Sequence, residues 1–311
     1  MSLLDTVFSN FPSVEVLIRR VYKSNAKVQK HFGRLKKRLV HKESTVSASD
    51  EPSIELEDLQ KHLKSIGICS GDILIAHTSM DGLQSVKAEA LDIIDSLISL
   101  TGDNGTLVLP TFPKYKKNDT ILKFDYQKFL AWTGVIPNLV MRERGAIRSH
   151  IPLNTVSAVG AASKEMFLGE DKAEYTYGEG TAWEYCMNHH AKVLFLGVEP
   201  FHCISEAHIA EDLLGKDFPV NAWYIKQTFL VGTQGNFIEK QYFVRDLSWS
   251  RFGAEHYLQR YLLKNKLIRD VSNFGIRIFI VDDLYELVEN MITNYKKGNL
   301  LANRIPRKYR R

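Results

Sequence analysis

One local pattern, two apolar strands separated by an amphipathic helix, constrains the fold of this 311-residue chain most. The runs at 73–76 and 106–109 are short, apolar and bounded by turn residues, as buried strands are. Between them, residues 88–100 repeat apolar side chains at helical spacing, and glycines stand at the junctions. Two strands joined through a helix need a crossover connection, so we expect them to be parallel neighbours in one sheet.

Later segments extend this pattern. Apolar runs at 193–196 and 276–281 predict two more strands, and the residues that flank the turn at 232–236 predict a hairpin. A final helix with one apolar face is predicted after residue 283. With helical spacing in residues 1–42, these elements predict an α/β fold: a three-layer mixed sheet with parallel βαβ units flanked by helices, an antiparallel hairpin region and an N-terminal helical extension.

Charge is unevenly distributed along the chain. The net charge is +5, but residues 1–46 carry ten Lys or Arg against three acidic residues, and residues 294–311 carry seven Lys or Arg and no acidic residue. The body between them is acidic, which suits cationic substrates and argues against a nucleic-acid enzyme. The basic ends can contact an anionic membrane or can simply be solvated. Because residues 43–52 are typical of a linker, we predict a basic helical extension at 1–46, a main domain at 53–301 and a basic tail at 302–311.

Cysteine usage indicates the compartment. Cys69, Cys186 and Cys203 are odd in number and lack C-x-x-C spacing, which argues against a disulfide framework and favours the cytoplasm. The N-terminus lacks the order of a signal peptide, and no apolar run reaches the length of a bilayer span. The phosphate-binding loop, the dinucleotide fingerprint and the nucleophile elbow are also missing, which argues against P-loop enzymes, Rossmann dehydrogenases and serine hydrolases.

Polar residues follow three of the predicted strands. His77, Thr78 and Ser79 come after the first strand, Thr111 and Phe112 after the second, and the segment 199–211 after the third. Ligands of open α/β sheets bind at the carboxyl ends of strands, where hydroxyl and backbone N–H groups can hold a phosphate or a carbonyl oxygen. The alternative is that the hydroxyl residues only cap the helices that follow them.

The segment 205–211, SEAHIAE, contains the sharpest chemical signal. If it is helical, His208 and Glu211 lie one turn apart on one face and can touch, with Ser205 one turn before His208. A carboxylate beside an imidazole favours the charged ring and fixes its tautomer, as a general base requires. The alternative is a surface His–Glu pair without a function. No nearby Cys or His pair completes a metal site, so we predict no metal.

Residues 148–150 form a third candidate site. Arg148 can bind a phosphate through two parallel hydrogen bonds, and His150 can titrate near neutral pH. We assign both to substrate binding. An exposed loop without a function is the alternative.

Six motifs occur together in a characteristic order and spacing. They are GDILIAHTSMDGL (71–83), GTLVLPTF (105–112), TGVIPN (133–138), RSHIPLNTVSAVG (148–160), KVLFLGV (192–198) and SEAHIAE (205–211). In this set the chain resembles the aminoglycoside 3-N-acetyltransferase family over residues 53–301. The resemblance implies an α/β fold distinct from that of the GNAT acetyltransferases. It also implies acetyl-CoA or another acyl-CoA as the donor, an amino group on a sugar as the acceptor, and 53–301 as an acyl-CoA N-acyltransferase domain.

The resemblance further implies roles for individual residues. His208 and Glu211 match the H-x-x-E of the family, and Ser205 stands where a Thr is usual. The donor-binding residues that it implies are Thr78, Ser79, Met80, Asp81, Thr111, Phe112 and Ser149. The chain departs from the family where Ile151 replaces a histidine that precedes a proline, with His150 one place earlier.

Residues and resemblance together predict an N-acyltransferase that moves an acyl group from CoA directly to an amine, with His208 as the general base. The acceptor favoured is a nucleotide-linked or surface-polysaccharide amino sugar. The alternatives are an aminoglycoside acetyltransferase that confers antibiotic resistance, a non-catalytic relative that binds CoA or a sugar, and a scaffold that docks on a membrane. The predicted partners are a small-molecule amine and, through the basic ends, a membrane surface. No nucleic acid is predicted, and a homo-oligomer is left open.

Overall fold

A computed structural model of the chain describes residues 3–25, 53–115 and 122–311. Its strands, in chain order, are β1 (Ile54–Glu55), β2 (Ile73–Thr78), β3 (Val86–Lys87), β4 (Thr106–Pro110), β5 (Leu122–Asp125), β6 (Ile147–Arg148), β7 (Val156–Gly160), β8 (Lys192–Leu196), β9 (Tyr224–Thr233), β10 (Asn236–Arg245), β11 (Arg269–Asp270) and β12 (Ile278–Val281). Its helices are α1 (Leu3–Asn10), α2 (Pro12–Ser24), α3 (Leu56–Ser65), α4 (Ala90–Thr101), α5 (Val135–Glu143), α6 (Ala182–Asn188), α7 (Ala207–Leu214), α8 (Glu255–Lys264) and α9 (Leu284–Lys296).

Seven strands form the main sheet, in the order β11-β12-β8-β2-β4-β7-β6. The three central strands β8, β2 and β4 are parallel, and the strands outside them pair antiparallel with their neighbours. Helix α4 connects β2 to β4, and the register places Ile73 opposite Thr106. The predicted βαβ unit and its parallel pair of strands are therefore confirmed.

The main sheet separates two apolar cores. Ile75 of β2 and Phe195 of β8 enter the core that includes α6, α7, α8 and α9. Their neighbours Leu74 and Leu194 enter the core that includes α3, α4 and α5. Because helices cover both faces, these central strands are continuous apolar runs rather than alternating ones. The helix–sheet–helix arrangement confirms the predicted α/β fold class.

A second sheet has three strands, in the order β10-β9-β5. Strands β9 and β10 form the predicted hairpin, with Thr233 opposite Asn236. Strand β5 adds to β9 as a parallel neighbour, which the sequence did not indicate. Phe124, Phe229 and Tyr242, one from each strand, pack in a small core of their own. The hairpin is therefore confirmed, but it belongs to a sheet of its own.

Helices α1 and α2 pack against α8 and against the 3-10 turn Leu247–Phe252. The contact includes a buried carboxylate, Glu15, which accepts hydrogen bonds from the His256 ring at 3.0 Å and from the Arg19 guanidinium at 2.8 Å. The predicted linker at 43–52 lies outside the described residues. None of the helices within the described ranges is long and apolar enough to cross a membrane.

Two glycines set how closely the loops after β2 and β8 approach each other. Gly82 and Gly197 lie in contact, and a Cβ atom at position 82 would overlap with the carbonyl oxygen of Gly197. Gly197 also has a φ of +72°, in the backbone region that favours glycine. Because glycine has no Cβ atom, the loops at the carboxyl ends of these two parallel strands can come into contact.

We predict that Gly82→Ala lowers the free energy of unfolding by about 3 kcal/mol, because no rotamer change can relieve the overlap of a methyl group with backbone atoms. The control is Gly145→Ala, where φ is +62° and no atom lies within 4 Å of the added methyl group. Only backbone strain of about 1 kcal/mol is expected there. Urea denaturation measures both losses. Equal losses would contradict a special role for the Gly82–Gly197 contact.

Candidate active site

A cavity of about 1140 Å³ opens at the carboxyl ends of β2 and β8. Its wall includes Thr78 at the end of β2, Val198 just after β8, and residues of α7 and of the second sheet. Pockets for drug-sized ligands have volumes of roughly 300–1,000 Å³. The cavity is therefore large enough for more than one reactant.

Half of the residues that the sequence and the resemblance assign to the site line this cavity; they are Thr78, Ser79, Phe112, Ser205, His208 and Glu211. The fold thus brings together two strand ends and a helix that are far apart in the sequence. The other assigned residues are not part of the wall; they are Met80, Asp81, Thr111, Arg148, Ser149 and His150. Of these, Met80 and Asp81 lie in the 3-10 turn that starts directly after Ser79.

His208 and Glu211 form the expected pair on α7. His208 Nδ1 lies 2.9 Å from Glu211 Oε2. The Glu211 side chain is 1% exposed and that of His208 is 24% exposed, so a buried carboxylate supports a ring that still reaches the cavity. The prediction that Ser205 shares this helix is wrong, because α7 begins at Ala207. Ser205 lies instead in a turn, where its N–H and its hydroxyl both donate to the Cys203 carbonyl oxygen.

The protonation of this pair follows from its surroundings. Burial by itself raises the pKa of Glu211, but the charge and hydrogen bond of His208, together with Arg245, outweigh it and hold that pKa below its ordinary value. A carboxylate that stays ionised keeps a proton on His208 Nδ1 and leaves Nε2 as the acceptor. Tyr177 packs against the His208 ring with centroids 5.4 Å apart, which restricts the orientation of that ring.

A second His–carboxylate pair lies beside the cavity, where sequence reasoning did not place one; His77 belongs to the cavity wall, and Glu206 is buried next to it. His77 Nε2 is 2.7 Å from Glu206 Oε1, and the two side chains are 6% and 1% exposed. The His77 ring stacks on Phe195 with centroids 4.9 Å apart. Burial by itself lowers the pKa of His77, but the Glu206 charge and the Cys203 thiol raise it to about 10. His77 is therefore charged at neutral pH and ties β2 to the start of α7.

The cavity wall is rich in carboxylates. Among the described residues these are Glu211, Asp212, Asp246 and Glu255. Arg19 and Arg245 also line the cavity. Burial raises the pKa of Asp212 to about 7, although the Tyr177 N–H and the Tyr224 hydroxyl donate hydrogen bonds that lower it. Arg19 pairs with Glu255, and His77 of the wall is charged, so much of this negative charge is compensated within the wall.

Two hydroxyl residues at the strand ends have different surroundings. The Thr78 hydroxyl is buried, belongs to a residue of the cavity wall, and has no hydrogen-bond partner within the described part of the chain. The Thr111 hydroxyl instead lies 3.1 Å from Ser157 Oγ, across the pair formed by β4 and β7. The Thr78 hydroxyl therefore has unused hydrogen-bonding capacity next to the cavity, whereas the Thr111 hydroxyl connects two strands of the sheet.

The third candidate segment has partners within the protein. The buried Arg148 guanidinium donates to the carbonyl oxygen of Thr111 at 2.6 Å. The Ser149 hydroxyl and the His150 backbone N–H both donate to Glu170, a buried carboxylate whose pKa burial raises to about 7. These contacts hold loops together, and none of the three residues lines the cavity.

Metal and disulfide chemistry find no support in the described residues. No group of three His, Cys, Asp or Glu side chains that could hold a metal occurs in residues 3–25, 53–115 and 122–311. Cys69, Cys186 and Cys203 are free thiols, and burial raises the pKa of Cys186.

The chain matches the model of the aminoglycoside 3-N-acetyltransferase family over residues 75–293, more than half of its length. The chain belongs to this family. The matched region contains the last four residues of β2, all of α7 and both His–carboxylate pairs. The family inferred from the six motifs is thus confirmed.

Individual family members are distant relatives. The chain is 28% identical to aminoglycoside N(3)-acetyltransferase IX of Micromonospora chalcea, over 49% of its own length and 60% of that protein's. It is 23% identical to aminoglycoside N(3)-acetyltransferase III of Enterobacter cloacae, over 56% of its own length and 65% of that protein's. The chain therefore spans less than two thirds of the length of these curated relatives.

Solved structures of family members share the fold. AAC-IIIb in a binary complex with CoASH matches 80% of this chain and 98% of its own, with a TM-score of 0.66 and 19% identity. AAC-VIa bound to sisomicin matches 80% of this chain and 99% of its own, with a TM-score of 0.67 and 16% identity. The chain thus shares its overall fold with these family members.

The sequence gives no indication that several of the cavity residues lie in the site. Arg19 comes from α2 and Arg245 from the end of β10, and neither stands in a recognisable motif. His77 and Glu206 each stand inside one of the six motifs, but these motifs do not indicate that the two side chains meet. Only the pairing of β2 with β8 brings them together.

We predict that the His77–Glu206 pair makes the protein less stable as the pH rises. The pKa of His77 increases from 6.5 to about 10 on folding, so its stabilising contribution is complete below pH 6.5 and is lost as the pH rises towards 10. Urea denaturation near pH 6 and near pH 9 measures the free energy of unfolding at both ends of this window.

Glu206→Gln removes the charge that holds the His77 proton, so this variant should lose the part of the pH dependence that comes from His77. It should keep the part that comes from Glu170 and Asp212, whose pKa values burial raises to about 7. Glu239→Gln, at an exposed carboxylate of β10, is the control and should keep the full wild-type pH dependence. A wild-type protein that is equally stable at both pH values would contradict the role of the pair.

Proposed function

We propose that this chain transfers an acyl group from an acyl-CoA to an amino group of an amino sugar. The observation that carries the proposal is the His208–Glu211 pair, whose ring reaches a large cavity while its carboxylate is buried. Membership of the aminoglycoside 3-N-acetyltransferase family supports the reaction class. The likeness to AAC-IIIb in a complex with CoASH supports CoA as the donor.

His208 acts as the general base. Its Nδ1–H donates to Glu211, which leaves Nε2 to take a proton from the attacking amine. As the nitrogen bonds to the thioester carbonyl carbon, the carbon–sulfur bond breaks and CoA leaves as a thiolate. The imidazolium then returns its proton to that thiolate. No covalent enzyme intermediate is needed, because a thioester is reactive and the cavity holds both reactants together.

The loop after β2 stabilises the carbonyl oxygen, which becomes negative during the attack. The Thr78 hydroxyl is a buried donor without a protein partner in the described ranges, and Ser79 follows it in the cavity wall. A donor held in place before the reaction is more effective than water, since it need not reorganise. Phe112 lines the cavity beside the neighbouring strand end and offers an apolar surface for the donor.

The acceptor is a cationic amine. Asp212 and Asp246 of the cavity wall can accept hydrogen bonds from ammonium groups, and the named relatives are aminoglycoside acetyltransferases. We therefore propose an aminoglycoside-like amino sugar as the acceptor. The narrower preference for a surface-polysaccharide amino sugar stays a prediction, since the cavity offers no feature specific to it. Cytoplasmic location likewise stays a prediction from the cysteines.

We predict that His208→Ala lowers turnover by roughly 10²–10⁴-fold and leaves acyl-CoA binding intact, because the variant loses only the proton acceptor. Release of CoA thiol measures turnover, and calorimetry measures binding. His189→Ala, at an exposed histidine outside the cavity wall, is the matched control and should keep full activity. Full activity of His208→Ala would remove this residue from the mechanism.

We predict that Thr78→Val lowers turnover by roughly 10²-fold, because valine keeps the shape of the side chain but cannot donate to the carbonyl oxygen. Thr78→Ser keeps the hydroxyl and should retain most of the activity. Steady-state kinetics with saturating acyl-CoA separates the two variants. Equal losses in both would indicate a packing role instead.

A thiol-release assay with acetyl-CoA and a panel of aminoglycosides and simpler amino sugars tests the proposal as a whole. Release with at least one amine, lost in His208→Ala, is the expected result. Binding of acetyl-CoA without release for any amine would favour a non-catalytic relative. The pattern of accepted amines also decides between an antibiotic and a polysaccharide precursor.

A further inference from the structure

Helix α2 and Phe11 before it carry an apolar stripe that the other described residues leave exposed. The stripe consists of Phe11, Val14, Leu17, Ile18 and Val21, which are between 39% and 62% exposed. At 3.6 residues per turn these positions span roughly 120° of the helix circumference. Five neighbouring exposed apolar side chains form a patch that monomeric proteins rarely leave without a use.

The stripe points away from the protein because the opposite side of α2 is anchored. Glu15 and Val16 are buried in the contact with the body of the protein. Glu15 accepts from His256 at 3.0 Å, and Arg19 pairs with Glu255 of α8. The side of α2 that contacts the protein is therefore held mainly by ion pairs, and the apolar side of α2 faces solvent.

Positive charge lies at one edge of the stripe. Arg20 is exposed there, and its guanidinium lies 5.6 Å from the centroid of the Phe252 ring. Lys23 lies on the anchored side of α2, where it donates to Ser250. The first 46 residues as a whole have a net charge of +7, so the stripe belongs to a basic part of the chain.

The C-terminal tail brings its own positive charge to the same turn. Tyr309 packs against Trp249 with ring centroids 5.4 Å apart, and also contacts Phe252. Its neighbours Arg307 and Lys308 are exposed. Both basic ends of the chain, which are the most distant parts of the sequence, therefore meet at the 3-10 turn Leu247–Phe252.

We propose that α2 and this turn dock the protein on an anionic lipid surface. A helix with an exposed apolar face and basic residues beside it is the type that lies in the plane of a membrane interface. Clustered Lys and Arg side chains add attraction to anionic headgroups. The exposed side chain of Leu247, in the turn where the ends meet, extends the apolar contact.

The docking face adjoins the cavity. Arg19 of α2 and Leu247 of the turn both belong to the cavity wall. Docking therefore places the cavity next to the lipid headgroups, so the protein can take an amine acceptor from the membrane surface. Lipid binding itself does not rest on the proposed reaction, and it can be tested separately.

The test is co-sedimentation of the full chain with phosphatidylcholine vesicles and with vesicles in which a third of the lipid is phosphatidylserine. We expect binding to the phosphatidylserine vesicles only, weakening as salt is added. Leu17→Glu should reduce this binding by about tenfold or more, because it places a charge in the apolar stripe. Failure of the wild-type chain to bind the anionic vesicles would overturn the proposal.

Ile238→Glu is the matched control, since Ile238 is 60% exposed, as Leu17 is, and lies on the hairpin away from α2. It should bind as the wild type does, and both variants should keep the wild-type melting temperature. Equal binding by Leu17→Glu and the wild type would overturn the proposal. The proposal would also be overturned if the wild-type chain is a dimer that does not bind vesicles and Leu17→Glu converts it to a monomer. A second copy of the chain would then cover the stripe.

Discussion

The parallel pairing of β2 with β8 is the constraint on which the site depends. It places the carboxyl ends of two strands side by side although their sequences are far apart, with Thr78 opposite Leu196. Two contacts hold the loops beyond these ends together: the close approach of Gly82 and Gly197 and the buried pair of His77 with Glu206. Because Glu206 directly precedes α7, this pair also fixes where the helix that carries His208 begins.

Two His–carboxylate pairs each place a histidine in the cavity wall, and their exposure separates their roles. The pair of His77 and Glu206 is buried on both sides, so its charges are locked and the pair is suited to holding the fold. The pair of His208 and Glu211 buries only its carboxylate, so the ring can exchange protons with a ligand. The same two residue types thus serve stability in one place and, in our proposal, catalysis in the other.

Prediction from the sequence succeeded where the signal is local. The βαβ unit, the hairpin and the contact of His208 with Glu211 depend on spacings of a few residues, and all three are confirmed. Prediction was weaker for residues 148–150, whose chemistry suits a ligand but whose partners are buried groups of the protein itself. A side chain's chemistry does not reveal whether a ligand or a neighbouring loop will use it.

The sequence by itself determined the fold class, the family and the central His–Glu pair. The spacing of apolar residues, the turn residues and the order of the motifs are all local features of the sequence. Only the tertiary structure decided that Ser205 precedes α7, that His77 meets Glu206, and that Arg19 reaches the cavity. It also decided that the apolar stripe of α2 faces outward. An amphipathic period shows that one face is apolar but not what covers it, since that depends on surfaces that meet only after the chain has folded.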